Sequence, residues 1–490
     1  MDNDLIVLIT IVTLLVFLAA RVPVAMSLII ASAVGIFLLD GVNTMLVTLG
    51  QIPFTATTKY GLSVVPLFIL MGVFAQFAGM GTDAYRAAAR YLRWLPGGVG
   101  VATIFGCAVF AAVCGSSVAT VATLGRTAMK EMRRYGYPDY LAAGIICTAG
   151  TLGILIPPSI MIVIYGIIAQ ASIGQLLIAA IIPGIICVLA YGIYTVILAK
   201  RLVVEPGSAT APVAASSTIS SEAGSSTSTP VSEPRVGSRP TGRRSRSTPP
   251  PIDLDDAFVE LGIDRPASTW SGVYGVLRVL LVFLIVIGGI YFGLVTTTEA
   301  AALGAFATLL VFLIEVARKT VPWKSILDAT RSGTSLIGMV FLLFIGASMF
   351  TYLLVASGTP AALGRTVSEL AIPPLLIVVV ILLLLLPLGM FLDGISCLLI
   401  VTPIVVPVVV ALGYSPIWFG ILCVMMIEIG LVTPPVGLNV FTLTGTTRGL
   451  LIGDAFRGSL YFVPVSLAVV ALVLFIPDLA LWLPDLAIGR

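Results

Sequence analysis

Long apolar runs alternate with short polar or basic segments along most of the chain. A helix needs about 20 apolar residues to cross the hydrocarbon core of a bilayer, and many of these runs reach that length. The pattern therefore predicts an all-α polytopic membrane protein. The runs that predict single spans are 5–20, 23–39, 61–80, 174–199, 274–293, 299–317, 332–355 and 459–481.

Two other apolar runs contain a double proline, Pro157-Pro158 in one and Pro434-Pro435 in the other. Proline has no backbone N–H and clashes with the preceding turn, so each pair breaks a helix. Unwound backbone inside a membrane is tolerated only where protein or a water-filled cavity satisfies it, and its carbonyls can bind ions. We predict broken helices at about 141–170 and 415–445.

The apolar run at about 97–125 has basic clusters at both ends, which include Arg90 before it and Arg133 after it. Basic residues mark the cytoplasmic side, so this run is predicted to be a re-entrant hairpin with its tip at Gly115-Ser116-Ser117. A second hairpin is predicted at about 372–412, where Asp393 interrupts the apolar run. By parity of the spans it enters from the outer side, and both chain termini are predicted to be periplasmic.

A hairpin followed by a broken helix occurs twice with opposite sense, which predicts two inverted-topology repeats, 1–202 and 271–490. Such repeats are typical of secondary transporters, whose sites lie near mid-membrane between the halves. Residues 203–270 are rich in Ser, Thr, Pro, Gly and Ala, and are predicted to be a disordered cytoplasmic linker.

Composition narrows the function. The chain is 59% hydrophobic and 10% charged, with a formal net charge of +3, so nothing indicates nucleic-acid binding. It contains no histidine, which excludes imidazole chemistry and His-ligated metals. The six cysteines lie singly in apolar segments, as packing residues do. Because no GxxxxGK[ST] phosphate loop is present, we expect an ion gradient to supply the energy.

Gly115, Ser116, Ser117 and Thr120 combine hydroxyls with small residues. Such a group can bind a cation, donate to a carboxylate, or simply allow close helix packing. An oxygen-rich site without fixed charge suits a hard monovalent cation. Asp393 is the single acid within 372–412, and three interpretations remain open: sodium ligand, proton carrier, or cap of the hairpin helix.

Other polar residues lie near the predicted breaks. Glu299 follows three threonines and is interpreted first as a helix N-terminal residue. Glu428 precedes the second break, where it could stabilise unwound backbone or contact an ion. Thr433 and Asn439 flank the second double proline and are candidate polar ligands.

Six motifs together resemble the large membrane subunit of TRAP (tripartite ATP-independent periplasmic) transporters, the DctM-like family. The motifs cover both halves in order, and the two Pro-Pro segments with the Gly-Ser-Ser hairpin are specific. They are PLFILMG at 66–72, LPGG at 95–98, GSSVAT at 115–120, GTLGILIPPS at 150–159, TEAA at 298–301 and EIGLVTPPVGLN at 428–439.

This resemblance implies a subunit of the bacterial inner membrane for sodium-driven uptake of organic acids such as C4-dicarboxylates, sialic acids or 2-oxo acids. It implies a periplasmic binding protein that delivers substrate and a small four-helix membrane subunit, expected here as a separate chain. It also implies an elevator movement of the hairpins and broken helices as one unit.

The family pattern also implies site residues in this sequence. Sodium (Na+) ligands are expected at Gly115, Ser116, Ser117, Gly150 and Pro157 for one site, and at Asp393, Gly394, Thr433 and Pro434 for a second. Substrate contacts are expected at Ser117, Ser159, Ser396 and Asn439.

Two alternatives remain. A stand-alone sodium/anion symporter of related inverted-repeat fold would need no binding protein. An intramembrane enzyme would use Asp393 and Glu428 as paired carboxylates, although no nucleophile or base accompanies them.

Overall fold

The computed structural model of the protein describes residues 2–92, 97–202, 269–369 and 372–488, so nearly all of the predicted 203–270 linker lies outside the described residues. Every regular element within these ranges is helical, which confirms the all-α prediction. Eight of the described helices are long and apolar enough to cross a membrane, and a bent helix pair would make a ninth span. The chain is thus a multi-pass membrane protein.

Most helices of the first half follow the predicted apolar runs, but the helix Met80–Leu92 has no predicted run, and the helix that begins at Val24 is longer than predicted. The prediction ended that span at residue 39, whereas the helix continues to Thr57 through a kink at Gly41 (φ 83°), a conformation that glycine adopts without strain. The helices are α1 (Asn3–Ala19), α2 (Val24–Thr57), α3 (Val64–Phe77), α4 (Met80–Leu92), α5 (Gly98–Cys114), α6 (Ser117–Arg134), α7 (Asp139–Leu155), α8 (Ile160–Ile168), α9 (Ile173–Ala179) and α10 (Ile181–Leu202).

The second half begins with α11, which a π-helical turn, Leu284–Gly288, extends to Tyr291. The helices are α11 (Thr269–Phe283), α12 (Thr297–Ala317), α13 (Lys324–Ser357), α14 (Thr359–Glu369), α15 (Pro374–Phe391), α16 (Gly394–Ala411), α17 (Pro416–Gly430), α18 (Leu438–Thr446), α19 (Ile452–Phe475) and α20 (Asp478–Ile488).

The start of α12 confirms the interpretation of Glu299. The Thr296 hydroxyl accepts the Glu299 backbone N–H at 3.3 Å, and the Glu299 carboxylate accepts the Thr296 backbone N–H at 2.8 Å. This reciprocal capping box satisfies two N–H groups that would otherwise lack partners at the helix end. Glu299 therefore serves the helix start.

Helices of the two halves pack directly on each other. α2 packs along α13, α3 along α12, and α7 along α19. The last pair is the closest, because a Cβ on Gly144 of α7 would lie 2.3 Å from the carbonyl carbon of Gly458 of α19. Small residues let two backbones touch in this way, and such contacts hold membrane helices together. One continuous buried core runs through both halves.

Candidate functional site

The predicted hairpin at 97–125 corresponds to two helices, α5 and α6, which meet at Gly115 and Ser116, although α6 continues beyond residue 125 to Arg134. Gly115 ends α5 with φ 62°, in the left-handed region that favours glycine. Ser116 is extended, and its Oγ accepts the Ala119 backbone N–H at 3.4 Å. Ser116 is therefore the N-cap of α6.

The first double proline separates α7 from α8, which are bent by 44° relative to each other. The Pro157-Pro158 peptide is cis, as is Pro434-Pro435. Ser159 is extended, and its Oγ accepts the Ile162 backbone N–H at 3.3 Å. Ser159 is thus the N-cap of α8, just as Ser116 is the N-cap of α6.

The tip of the first hairpin lies directly against this break. A Cβ on Gly115 would lie 2.7 Å from the carbonyl oxygen of Pro158. A Cβ on Gly153 would lie 2.7 Å from the carbonyl oxygen of Ser116, and one on Gly150 would lie 3.5 Å from that of Ser117. The residues expected at the first sodium site are therefore neighbours, and backbone carbonyl oxygens of the kind that bind hard cations lie among them.

The second hairpin turns between α15 and α16 at Asp393. The Asp393 carboxylate accepts the Ser396 backbone N–H at 3.2 Å and the Ser396 hydroxyl at 2.6 Å. Of the three interpretations of Asp393, the structure shows the helix cap. Its role as a sodium ligand stays a prediction.

The second hairpin packs on the helix that precedes the second break. A Cβ on Gly430, the last residue of α17, would lie 2.6 Å from the carbonyl carbon of Gly389 in α15. Gly394 faces Met161 of α8, whose Sδ would lie 2.8 Å from a Cβ there. The second hairpin thus contacts elements of both halves.

The second break occupies residues 431–437, between α17 and α18. Within it the Thr433 hydroxyl donates to the Ile429 carbonyl, and Pro434 is partly exposed. Asp393 and Gly394 therefore lie at the hairpin tip, while the Thr433 hydroxyl is engaged within its own segment. The second sodium site stays a prediction.

A cavity of about 90 Å³ lies where the two hairpin tips and the first break meet α3 and α13. The tips and the break supply four of its lining residues and α6 a fifth, and the facing wall comes from α3 and α13. The lining residues are Cys114, Ser116, Ala119, Ile160, Ile395, Ile69, Val73, Gln76, Leu336, Met339 and Val340.

Three helix N-termini meet at this cavity: those of α6 at Ser116, of α8 at Ile160 and of α16 at Ile395. The N-terminus of a helix carries a partial positive charge and N–H groups, so it attracts anions; Ser116 and Ser159 cap α6 and α8, whereas the Asp393 carboxylate already caps α16. None of the described residues that line the cavity is charged. The arrangement can therefore bind a carboxylate through backbone dipoles and neutral donors.

The four expected substrate contacts do not line this cavity, although Ser117, Ser159 and Ser396 each neighbour a lining residue in the chain. Ser159 caps α8, and Ser396 donates to Asp393. Asn439 Nδ2 donates to the Ser117 Oγ and, at 3.3 Å, to the Cys147 carbonyl. All four side chains are buried, at 0 to 1% exposure, and none of them lines the cavity. Their contact with substrate stays a prediction.

Two polar side chains do line the cavity, Ser116 and Gln76. Ser116 was expected as a sodium ligand, and Gln76 was missed. The available signal was that Gln76 is the single amide within the apolar run 61–80.

Helix pairs that meet at a tip, broken helices and an anion-attracting cavity inside a helical membrane protein are the features of a membrane permease. The family model of the DctM component of tripartite ATP-independent periplasmic transporters matches residues 11–479. The chain therefore belongs to this family.

Individual relatives agree with this assignment. The chain is 32% identical over 442 residues to the C4-dicarboxylate TRAP transporter large permease protein DctM of Pseudomonas aeruginosa, covering 89% of this chain and 88% of the relative. It is 28% identical over 444 residues to the sialic acid TRAP transporter large permease protein SiaM of Vibrio cholerae, covering 89% and 90%. The chain is thus a large permease subunit and not an enzyme.

The crystal structure of the Alcanivorax borkumensis YdaH transporter has a similar fold. Its TM-score is 0.53 at 13% sequence identity, covering 92% of this chain and 90% of that one. This likeness concerns the fold alone.

Proposed function

We propose that this permease couples inward sodium movement to the import of an organic acid across the bacterial inner membrane. A periplasmic binding protein delivers the acid, and a separate small four-helix subunit completes the complex. We propose an anionic substrate because three helix N-termini meet at one cavity. Similar half-helix ends bind substrate carboxylates in other secondary transporters.

Sodium is the proposed driving ion because each predicted site offers oxygen atoms, and the residues of neither site carry an excess of positive charge. In the first site, the carbonyls of Ser116, Ser117 and Pro158 lie close to the glycines they contact. In the second, the Asp393 carboxylate lies at the hairpin tip. Hard monovalent cations prefer such oxygen ligands over nitrogen or sulfur.

The transport movement we propose is of the elevator type, with two inverted repeats contributing to one moving unit. Glycine contacts between backbones support this, because they join each hairpin to a broken helix at Gly115–Pro158 and at Gly389–Gly430. Interiors packed this closely move as rigid bodies. The unit would slide along the wall of α3 and α13, which forms the far side of the cavity.

The proposed substrate class is a small organic acid. The P. aeruginosa relative is a C4-dicarboxylate transporter and the V. cholerae relative a sialic acid transporter. In this chain the cavity offers neutral donors at Ser116 and Gln76 among apolar side chains. Neutral donors orient a carboxylate, and the apolar wall sets the shape that is accepted.

The test is uptake of radiolabelled C4-dicarboxylate or sialic acid by proteoliposomes that contain this chain and its partner subunits. We expect uptake only with an inward sodium gradient and added binding protein. Uptake that does not depend on the sodium gradient would refute sodium coupling. Uptake by this chain alone would instead support the stand-alone symporter.

Two variants locate the sites in the same assay. Gln76→Leu should weaken uptake by removing a donor from the cavity, whereas Gln51→Leu, at an exposed position of α2, should leave uptake unchanged. Replacing Ser116 and Ser117 together by Val should abolish uptake in an assembled protein. Unchanged uptake in that double variant would refute the first sodium site.

A further inference from the structure

Glu428 lies in α17, one turn before the second break, and its side chain is only 5% exposed. Its Oε1 atom is buried and has no hydrogen-bond partner among the described residues. A buried carboxylate without partners costs several kcal/mol inside a membrane, so it either takes up a proton or binds a cation. The transport site described above does not use this residue.

Glu428 is one of the residues that line a second cavity, of about 10 Å³. About this much space holds one water molecule, provided that polar groups surround it. Helices α7, α10, α17 and α19 form the walls. The lining residues are Thr148, Thr151, Leu155, Cys187, Tyr191, Met425, Glu428, Ile429, Val432, Ser466 and Val470.

Some of the hydroxyls that line this cavity have a hydrogen-bond partner, and one does not. The Tyr191 and Ser466 hydroxyls bond to each other at 2.9 Å, and the Thr151 hydroxyl donates to the Thr148 carbonyl at 2.7 Å. The Thr148 hydroxyl, by contrast, is buried with no described partner. Thr148 and Glu428 each carry an unsatisfied buried oxygen, and both residues line the same water-sized cavity, so one water there is suited to bridge them.

No positive charge reaches Glu428 from the described residues around it. The titratable side chains that line its cavity are Cys187 and Tyr191, both on α10. The other described helices that pack on α17 are α7, α8, α9, α15, α16, α19 and α20. None of them places a titratable or charged side chain on the cavity wall. Leu155, Met425, Ile429, Val432 and Val470 complete the lining.

These surroundings favour a proton over a sodium ion. Sodium needs several oxygen ligands in close contact, whereas about half of this lining is apolar. A protonated carboxyl has no net charge, so burial costs it much less, and its O–H can donate to a bridging water.

We propose that Glu428 is a proton-binding site, in which the carboxyl group holds one proton and shares the cavity with a single water that bridges to Thr148. The site links α17 of the second half to α7 of the first, with Glu428 near the end of α17 and Thr148 about two turns before the end of α7. Loss of the proton leaves a negative charge between the two broken helices. The inference does not depend on sodium coupling or on the substrate.

Infrared spectroscopy tests the site directly, because an un-ionised carboxylic acid and a carboxylate absorb at separate frequencies. We expect the reconstituted wild-type protein at neutral pH to show an un-ionised acid band that shifts when its glutamates carry carboxyl ¹³C. This label distinguishes glutamate from aspartate without any mutation. The band should disappear in Glu428→Gln and persist in Asp393→Asn, which removes a partly buried acid.

A second variant covers the case in which Glu428→Gln does not fold. Thr148→Val keeps the side-chain shape and should shift the frequency of the glutamic acid band, because it removes one partner of the bridging water. Absence of a glutamic acid band in the wild type would overturn the proposal. Loss of that band when sodium is added at constant pH would also overturn it, since the cavity would then hold sodium beside a carboxylate.

Discussion

Replacing Gly115 by Ala tests whether the first hairpin tip is held against the first break. Gly115 has φ 62°, and an added Cβ would lie 2.7 Å from the Pro158 carbonyl oxygen and 3.4 Å from the Ile160 backbone nitrogen. Both near atoms belong to the backbone, so neither moves aside as a flexible side chain would. The substitution must therefore displace the tip from the break.

The expected cost has two parts. An L-residue in the left-handed region costs about 1–2 kcal/mol relative to glycine. Forcing a methyl group into a close-packed contact costs roughly 1–3 kcal/mol more. Together they lower the free energy of local opening at the tip by about 2–5 kcal/mol, and since 1.4 kcal/mol is tenfold, opening becomes at least about 30-fold more frequent.

Hydrogen exchange followed by mass spectrometry measures this opening. Exchange in peptides spanning residues 114–120 and 153–160 should accelerate by at least about 30-fold in Gly115→Ala, while distant peptides keep their rates. Gly358→Ala is the matched control: its φ is 74°, and nothing lies within 4 Å of the added Cβ. It should accelerate exchange only near its own turn.

Unchanged exchange at the tip of a folded Gly115→Ala protein would refute the close contact between Gly115 and Pro158. Equal acceleration of the tip in the Gly358→Ala control would also refute the reasoning, because the effect would then not be local.

Two further changes test packing elsewhere through thermal unfolding. Gly430→Ala places a Cβ 2.6 Å from the Gly389 carbonyl carbon and should lower the free energy of unfolding by about 1–3 kcal/mol. The control is Gly445→Ala, which has nothing within 4 Å of the added Cβ and should be neutral or slightly stabilising. Equal effects of the two substitutions would contradict the contact between Gly430 and Gly389. Arg278→Met removes the guanidinium that donates to Glu315 at 2.7 Å, where the Glu315 side chain is 3% exposed. It should cost about 1.5–3 kcal/mol, because the Thr320 hydroxyl still donates to Glu315, with partial recovery in Arg278→Lys, and wild-type stability would disprove a stabilising pair.

Local sequence signals predict much of the fold. Apolar runs predict the spans because a bilayer requires a minimum length, and double prolines predict the breaks because the backbone cannot continue there. Thr296 and Glu299 have the spacing of a capping box, and the structure forms that box. Each of these features depends on residues a few positions apart, which a sequence displays directly.

The contents of the cavity depend on contacts between distant segments and could not be predicted in the same way. Successive helical residues point about 100° apart, so the packing of α6 decides that Ser116 lines the cavity while Ser117 meets Asn439. Gln76 became a wall residue because α3 packs beside the hairpin tips. Nothing in its own segment indicates that neighbour.

The three helix ends at the cavity affect how the substrate specificity of such a permease can evolve. Peptide dipoles neither titrate nor disappear when a side chain is exchanged, so the attraction of α6 and α8 for negative charge persists across pH, while α16 also carries the titratable cap Asp393. Discrimination between acids then falls to the side chains of α3 and α13 on the facing wall. Under the proposed function, a new specificity can evolve by exchanging residues on that wall while the helix ends continue to hold the carboxylate.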